Sequence, residues 1–356
     1  MNSLHLLSPL KIGDLTLANR MVMAALTRTR ASDDFIPTEV MVKYYSQRAS
    51  AGLIMTEGTV IHRSGIGYAN TPGIWNEKQV KAWRKITDEV HAKDGKIFVQ
   101  LWHVGRISHS LFLEGLLPIA PSPIPASGHV YLLRPKTNYE TPHALSTEEV
   151  HGVVEMFRNA AQNAKRAGFD GVEIHAANGY LLDQFLRDMA NKRNDQYGGS
   201  VENRARLILE IVDAVTAIWG SNRVGVNISP RNEVKHEGND MADSDPLTTF
   251  SYLCEQLGRR NIAFLMVREY QSSDSIGKVL KRKFGGIYIA NEKFDFASGD
   301  QAIQEGNADA IGFGKLFIAN PDLPERYLRR APLNTARSEL FFHKSEEGYA
   351  DYPFLV

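Results

Sequence analysis

Ser146-Thr147-Glu148-Glu149 opens a segment in which Val150, Val153, Val154 and Phe157 recur at helical spacing; Gly168 closes it, and Gly171-Val172-Glu173-Ile174-His175 follows as a short strand. Serine with glutamate three residues on is cap chemistry for a helix N-terminus, and glycine is the usual residue just past a C-terminus. This is one β/α unit, and working outward the chain repeats it. Upstream lie apolar runs at 20–25, 52–57 and 96–102, with a helical face of Val80, Trp83, Ile86 and Val90 before the last. Pro37 sits where it can open the first turn of an earlier helix. Downstream, Leu207, Ile208, Ile211 and Val215 stripe a helix before a strand at 223–228, and further strands fall at 263–267, 286–290 and 308–313.

Eight such units predict a single α/β domain over residues 1–356, a closed (β/α)8 TIM barrel. An open doubly wound sheet is the competing arrangement, but no Gly-x-Gly-x-x-Gly follows the first strand and no phosphate-binding Walker sequence occurs. Alternation around Gly13-Asp14 in residues 5–17 predicts an N-terminal β-hairpin that closes the barrel. The connection after strand three, residues 104–145, is too long for an ordinary loop. Punctuated by six prolines between Pro118 and Pro142, it reads as an active-site lid.

Forty-one basic residues balance forty-one acidic ones, so net charge points to neither nucleic acid nor a membrane surface as partner. The lone Cys254 has no disulfide partner, sits in a predicted helix and reads as a buried inert thiol. No His/Cys cluster has metal-ligand spacing, so no metal is expected. The N-terminal residues lack a basic, then apolar leader pattern and no apolar run spans a bilayer, which places the protein in the cytoplasm.

Barrels of this kind carry their chemistry at the carboxyl ends of the strands. The polar residues there are Thr27, Gln100, Trp102, His175, Asn178, Asn227, Asn291 and Lys315, a set suited to a large flat ligand. His175 and Asn178 can both donate to an oxygen on which negative charge builds, and the Tyr180 phenol can act as a general acid. The same His-x-x-Asn spacing equally suits a structural pair. Tyr68, Trp102 and Tyr352 are equally consistent with packing.

The stretch Val172-Glu173-Ile174-His175-Ala176-Ala177-Asn178-Gly179-Tyr180-Leu181-Leu182 resembles the signature of the Old Yellow Enzyme family. Met23–Arg28, Arg48–Ile54, Val99–Arg106, Asp195–Arg204, Phe317–Leu323 and Gly348–Pro353 agree with it, in order and over nearly the whole chain. The resemblance implies a flavoprotein ene-reductase, an NADPH dehydrogenase holding FMN without a covalent bond. Ala25, Thr27, Gln100, Asn227, Ala290, Asn291, Gly314 and Lys315 fall at the cofactor positions. His175 and Asn178 would bind the substrate oxygen, Tyr180 would deliver a proton, and Tyr68, Trp102 and Tyr352 would line the substrate pocket. NADPH or NADH would pass hydride to the flavin and leave, and the flavin would then reduce an activated C=C bond, a ping-pong cycle. The implied partners are small molecules: α,β-unsaturated carbonyls, nitro compounds or quinones.

The sequence departs from the family pattern at two places. Asn227 replaces the usual arginine on strand five, which neutralises charge on the reduced flavin. At the phosphate end, Asn291-Glu292-Lys293 and Gly314-Lys315 replace a glycine-rich turn and an arginine. Glu292 is expected to face away from the phosphate, and Arg231 and Arg268 are expected at the surface. These departures motivate an alternative, a degraded relative that holds FMN weakly and acts as a binding protein. A barrel acting on sugar phosphates is more remote, because no lysine or acid pair stands at a strand end for it. Losing a charge-assisted bond costs about 1.5–3 kcal/mol, so Asn227→Arg should tighten FMN and raise the flavin's potential. Titrating FMN affinity and potential in both proteins checks this; unchanged values would refute it.

Overall fold

The structure is a computed structural model, and it describes residues 4–231 and 242–355. Eight parallel strands form its core: β3 (Met21–Met23), β4 (Leu53–Met55), β6 (Ile97–Trp102), β9 (Gly171–Ala176), β10 (Val224–Arg231), β11 (Phe264–Glu269), β12 (Tyr288–Asn291) and β13 (Ala310–Phe313). The sheet closes on itself because β3 pairs with β13 on one side and β4 with β6 on the other. Short strands fill out the numbering: β5 (Thr59–Val60) extends the β6 edge, and β7 (Ile119–Ala120) pairs with β8 (His143–Ala144). All eight strands anticipated in the sequence are present, with bounds shifted by a few residues.

Strand periodicity sorts the side chains into two cores. Val172, Ile174 and Ala176 face outward and pack with Val150, Val153, Phe157 and Ile208 of the helical layer. Inward positions near the amino ends of the strands carry Val22, Leu53, Phe98, Phe264 and Ala310. Gly225 also points inward, and its missing Cβ is what the Phe264 ring occupies. The anticipated hairpin is β1 (Leu10–Ile12) with β2 (Leu15–Leu17), turning at Gly13 with φ +56°. Leu10, Ile12, Leu15 and Leu17 all face the inner cluster, so the hairpin plugs the amino-terminal mouth. Ligands are left the other end.

The helices start where cap chemistry puts them. Ser146 and Glu149 form the anticipated capping box of α3 (Thr147–Arg166). Asn76 with Gln79 does the same for α2 (Glu77–His91), and Ser200 caps α5 (Val201–Trp219). Pro37 is a correction: α1 (Glu39–Gln47) is preceded by Thr38 in extended backbone, so the proline lies outside the first turn. The Thr38 hydroxyl donates to the Arg30 carbonyl, which fixes the entry to α1 two residues late. Proline instead occupies the first turn of α6 (Pro246–Arg259), where Asp245 is the cap and Cys254 is buried and free, its thiol pushed up by burial. The remaining helices are α4 (Leu181–Leu186), α7 (Gly277–Phe284), α8 (Phe296–Gln304), α9 (Lys315–Ala319) and α10 (Leu323–Arg329). Residues 104–145 cover the barrel's open end through Leu113, Ala126, Val130 and Tyr139, which pack on Tyr68 and Trp102.

Three buried arginines tie α9 and the C-terminal tail to α1 and the connection that precedes it. Arg48 donates to the carbonyls of Phe317 (2.8 Å), Ile318 (2.7 Å) and Tyr44 (2.8 Å). Arg28 reaches Gly348 (2.7 Å), and Arg30 reaches Phe341 (2.6 Å) and Leu340 (2.8 Å). Tyr44 and Tyr349 stack at 4.0 Å between the guanidinium planes. Removing the Arg48 guanidinium strands buried carbonyls. Arg48→Met should therefore lower stability by about 3 kcal/mol, read as a fall in the urea midpoint. A shift under about a third of that would show that the tail is held by packing alone.

Candidate functional site

The chain turns from β9 into α4 through two left-handed residues, Asn178 (φ +59°) and Gly179 (φ +79°). Asparagine and glycine are the residues that adopt this backbone at least cost, which is the physical sense of Ala177-Asn178-Gly179-Tyr180. The turn is pinned on both sides. Asn178 N–H donates to the Ser229 hydroxyl at 2.7 Å, and Gly179 N–H donates to Asp183 at 2.9 Å. Asp183 is paired with Arg187 in a fully buried ion pair at 2.7 Å, and Arg187 donates onward to the Ser229 carbonyl. Tyr180 consequently occupies the N-cap position of α4, aimed back over the strand ends.

Above the apolar plug, the inward side chains become polar. Gln100 and Trp102 come from β6, Glu173 and His175 from β9, and Asn227 from β10, with Gln100 opposite Glu173 and Asn227 opposite His175 in register. His175 is buried, and its pKa is pushed down to about 3, first by desolvation and then by the charge of Arg268, so the ring is neutral. Its Nδ1 has no protein partner. Arg268 (β11) donates to Asn178 Oδ1 at 2.9 Å and is itself held by Glu292 through a forked pair at 2.9 and 3.2 Å. Arginine has no acceptor, so the oxygen of Asn178 must face it and the amide N–H groups are left to the site.

Tyr180 and Tyr68 share a hydrogen bond at 3.0 Å between their hydroxyls. Tyr68 stacks on Trp102 (5.5 Å between centroids), and Trp102 meets Tyr180 edge-on at 5.0 Å. Burial raises the Tyr68 phenol well above its ordinary range. Gln100 donates to Glu173 at 2.6 Å. Glu173 is wholly buried and pushed up to about 7 by desolvation, opposed by its hydrogen bonds with Gln100 and Asn227.

Most anticipated residues stand together. His175, Asn178, Tyr180, Tyr68, Trp102, Gln100 and Asn227 ring one side of the opening. Ala25 and Thr27, half-buried, continue it after β3. Ala290 and Asn291 end β12 beside β13, where Gly312 leaves the space that the Asn291 amide fills, and Gly314 with exposed Lys315 begins α9. Tyr352 belongs to a different apolar cluster from Tyr68 and Trp102. It is buried against Ile318, Ala319 and Phe341 and accepts from Arg337 N–H. Arg268 corrects the surface role expected for it. Arg231 is as half-buried as Arg268 and pairs with Asp274 and the buried Glu269, so its expected surface role is corrected as well. Glu292 is turned toward Arg268. Sequence reading missed Glu173 and Ser229; an acid sharing the inward parity of His175 on an otherwise apolar strand is the signal that finds the first.

Buried polar atoms without a protein partner collect at these strand ends: His175 Nδ1, Glu173 Oε1, Asn227 Oδ1 and Trp102 Nε1. Each such atom costs about 1–3 kcal/mol if left bare. A ligand with polar edges, such as the flavin suggested by the sequence, fits that demand.

Comparison with known proteins agrees. The model of the NADH:flavin oxidoreductase / NADH oxidase family matches residues 5–334. A probable flavin mononucleotide-dependent alkene reductase from Leishmania infantum is 43% identical over 98% of this chain and 97% of its own length. Among solved structures, an Old Yellow Enzyme homologue from Zymomonas mobilis superposes with a TM-score of 0.94 at 42% identity, covering 98% of this chain and 99% of that one. Morphinone reductase in complex with tetrahydroNAD gives a TM-score of 0.93 at 44% identity, covering 99% of this chain and 98% of that one.

The buried titrating groups oppose one another. His175 and His103 are both held near 3, so the unfolded chain binds their protons first and acid destabilises below about 6.5. Glu173 and Glu57 are held near 7, so the folded chain keeps their protons and acid stabilises between about 7 and 4.5. The two pairs cancel between about pH 6.5 and 5. His175→Asn removes one of the four, so its stability relative to wild type should rise by about 1.4 kcal/mol per pH unit lowered through that window. Urea melts at the two ends of the window read this; a pH-independent difference would mean that His175 is charged in the folded protein.

Proposed function

The chain belongs to the NADH:flavin oxidoreductase / NADH oxidase family, and on that premise we propose that it is an FMN-dependent ene-reductase. It takes hydride from NAD(P)H and delivers it to the activated C=C bond of a small α,β-unsaturated carbonyl compound, with nitro compounds or quinones as further acceptors. The observation that carries the reading is the joined set of His175, Asn178 and Tyr180 over strand ends whose buried polar atoms lack partners. FMN, when bound, supplies hydride transfer in both directions, first from nicotinamide and then to the alkene. Gln100 and Asn227 offer polar groups to its pyrimidine edge. Ala25 and Thr27 contribute from the β3 side, and Ala290, Asn291, Gly314 and Lys315 are assigned to the phosphate end.

His175 and Asn178 bind the substrate's electron-withdrawing oxygen. Each donates a neutral hydrogen bond, and Asn178 is preorganised to do so because Arg268 already occupies its oxygen. Arg268 adds a positive field behind Asn178, which favours negative charge growing on the bound oxygen. Tyr180 gives its proton to the carbon that does not receive hydride, and Tyr68 can return one through the 3.0 Å contact. Trp102 and Tyr68 provide the apolar wall, and residues 104–145 act as the lid that keeps water out. The degraded-relative alternative lacks comparable support: an idle site has no need of a pinned turn, an anchored amide and a shared phenol proton.

The purified protein should be yellow, bleach anaerobically with NADPH and recover colour with 2-cyclohexenone. Tyr180→Phe should leave bleaching unchanged and slow recovery about 10²–10⁴-fold, the usual worth of a positioned general acid. A colourless protein that FMN does not reconstitute overturns the reading.

A further inference from the structure

Two of the partnerless atoms belong to neighbours. Glu173 Oε1 and Asn227 Oδ1 are both acceptors, both buried, and carried on adjacent strands, Asn227 standing one inward position beyond Gly225, the register partner of Glu173. Two bare acceptors on neighbouring inward side chains are the pattern left by one missing proton. A carboxylic acid supplies it: Oε1–H donating to Asn227 Oδ1 satisfies both atoms with one bond.

The surroundings favour the acid. Facing Glu173 are Gln100 and Phe98 from β6, Gly225 and Asn227 from β10, and His175, neutral, from its own strand. Arg268, two strands away on β11, is committed to Glu292 and Asn178. Among the described residues, no lysine or arginine forms an ion pair with Glu173. Burial accordingly raises its carboxyl to about 7, against the pull of the Gln100 and Asn227 hydrogen bonds.

We propose that Glu173 is a proton-holding positioning residue that acts on the cofactor through Asn227. Protonated, it claims Asn227 Oδ1 and leaves the amide N–H groups of Asn227 to the flavin. Ionised, it claims those N–H groups and leaves an oxygen instead. Oxygen and nitrogen exchange by a half-turn of the Asn227 amide, which costs no change of shape. The inference rests on the FMN reading above. Hydride transfer brings two electrons and one proton to the flavin and adds one negative charge to its pyrimidine side. Where Glu173 begins ionised, reduction draws one further proton from solvent onto Glu173. A neutral acid and an amide thus do together what the family's arginine does alone.

The test uses the holoenzyme. In wild type, the dependence of the flavin's two-electron potential on pH should steepen above the Glu173 titration. The added slope is tenfold in the reduction equilibrium per pH unit, about 30 mV. Glu173→Gln cannot titrate and should show no break there. Asn227→Arg should also lose the break, because the guanidinium holds Glu173 ionised, while its potential rises. The infrared difference between wild type and Glu173→Gln at pH 6 should contain a protonated-carboxyl C=O band; Glu57, common to both, cancels. Parallel potential profiles in yellow protein, or no such band, overturn the inference. Should Glu173→Gln not fold, the band gained when wild-type holoenzyme is reduced at pH 8 decides, and its absence overturns the inference as well. A colourless protein that cannot be reconstituted removes the parent reading, and this one with it.

Discussion

The two-residue period of β9 is the constraint on which fold and site both depend. Val172, Ile174 and Ala176 must face the helices to bury apolar area, and that alone commits Glu173 and His175 to the barrel axis. The hairpin at the amino-terminal mouth then matters chemically as well as mechanically. It fills the lower barrel with Leu10, Ile12, Leu15 and Leu17, so the polar residues above it sit on a dry floor. A dry floor is what makes His175 neutral and Glu173 reluctant to ionise. Slipping β9 by one residue would exchange these roles and lose both core and site together.

Charge in this molecule is kept at a distance from the reacting positions or tied down near them. Arg28 and Arg30 in the first βα connection and Arg48 at the end of α1 are buried, but backbone carbonyls and stacked tyrosines receive them. Arg187 is spent on Asp183 beneath the Asn178–Gly179 turn. Arg268 reaches the substrate side through Nη1 on Asn178, and Glu292 holds it through Nε and Nη2. Its effect reaches His175 and Asn178 as a field and an anchor. The site therefore works with neutral donors whose orientation is fixed in advance, which spares reorganisation when charge develops.

How much of this was legible in the sequence follows from what each feature depends on. Strand–helix alternation, the Ser146 capping box and the hairpin depend on local spacing and are readable, whereas the left-handed Asn178-Gly179 turn emerges only from the backbone. Pro37 misled because Thr38 uses its hydroxyl on Arg30 across the loop, a tertiary bond that delays the helix. Arg268 reads as a surface residue in the sequence because its partners lie 90 and 24 residues away. Tyr352 could be aligned with a pocket by motif, yet its seat against Ile318 and Phe341 is set by how the tail folds back. Glu173 had a visible parity but no visible meaning until the strands on either side were known.

The absence of an arginine at position 227 changes more than one hydrogen bond, because a buried acid stands opposite the gap. An arginine there would have paid for the desolvation of the Glu173 carboxylate as well as facing the cofactor. Asn227 can hydrogen-bond the carboxyl but not neutralise it, so the energy falls back on the proton. Arg268 cannot step in: swinging toward β10 would break a forked ion pair with Glu292 and release the Asn178 amide that substrate binding needs. Lys315 lies exposed at the end of β13, three strands around the barrel from β10. Among the described residues neither of these cations pairs with Glu173, and on the inference above the floor holds a neutral acid sharing its proton with an amide. The substitution at 227 thereby couples the cofactor's electrostatics to a proton rather than to a fixed charge.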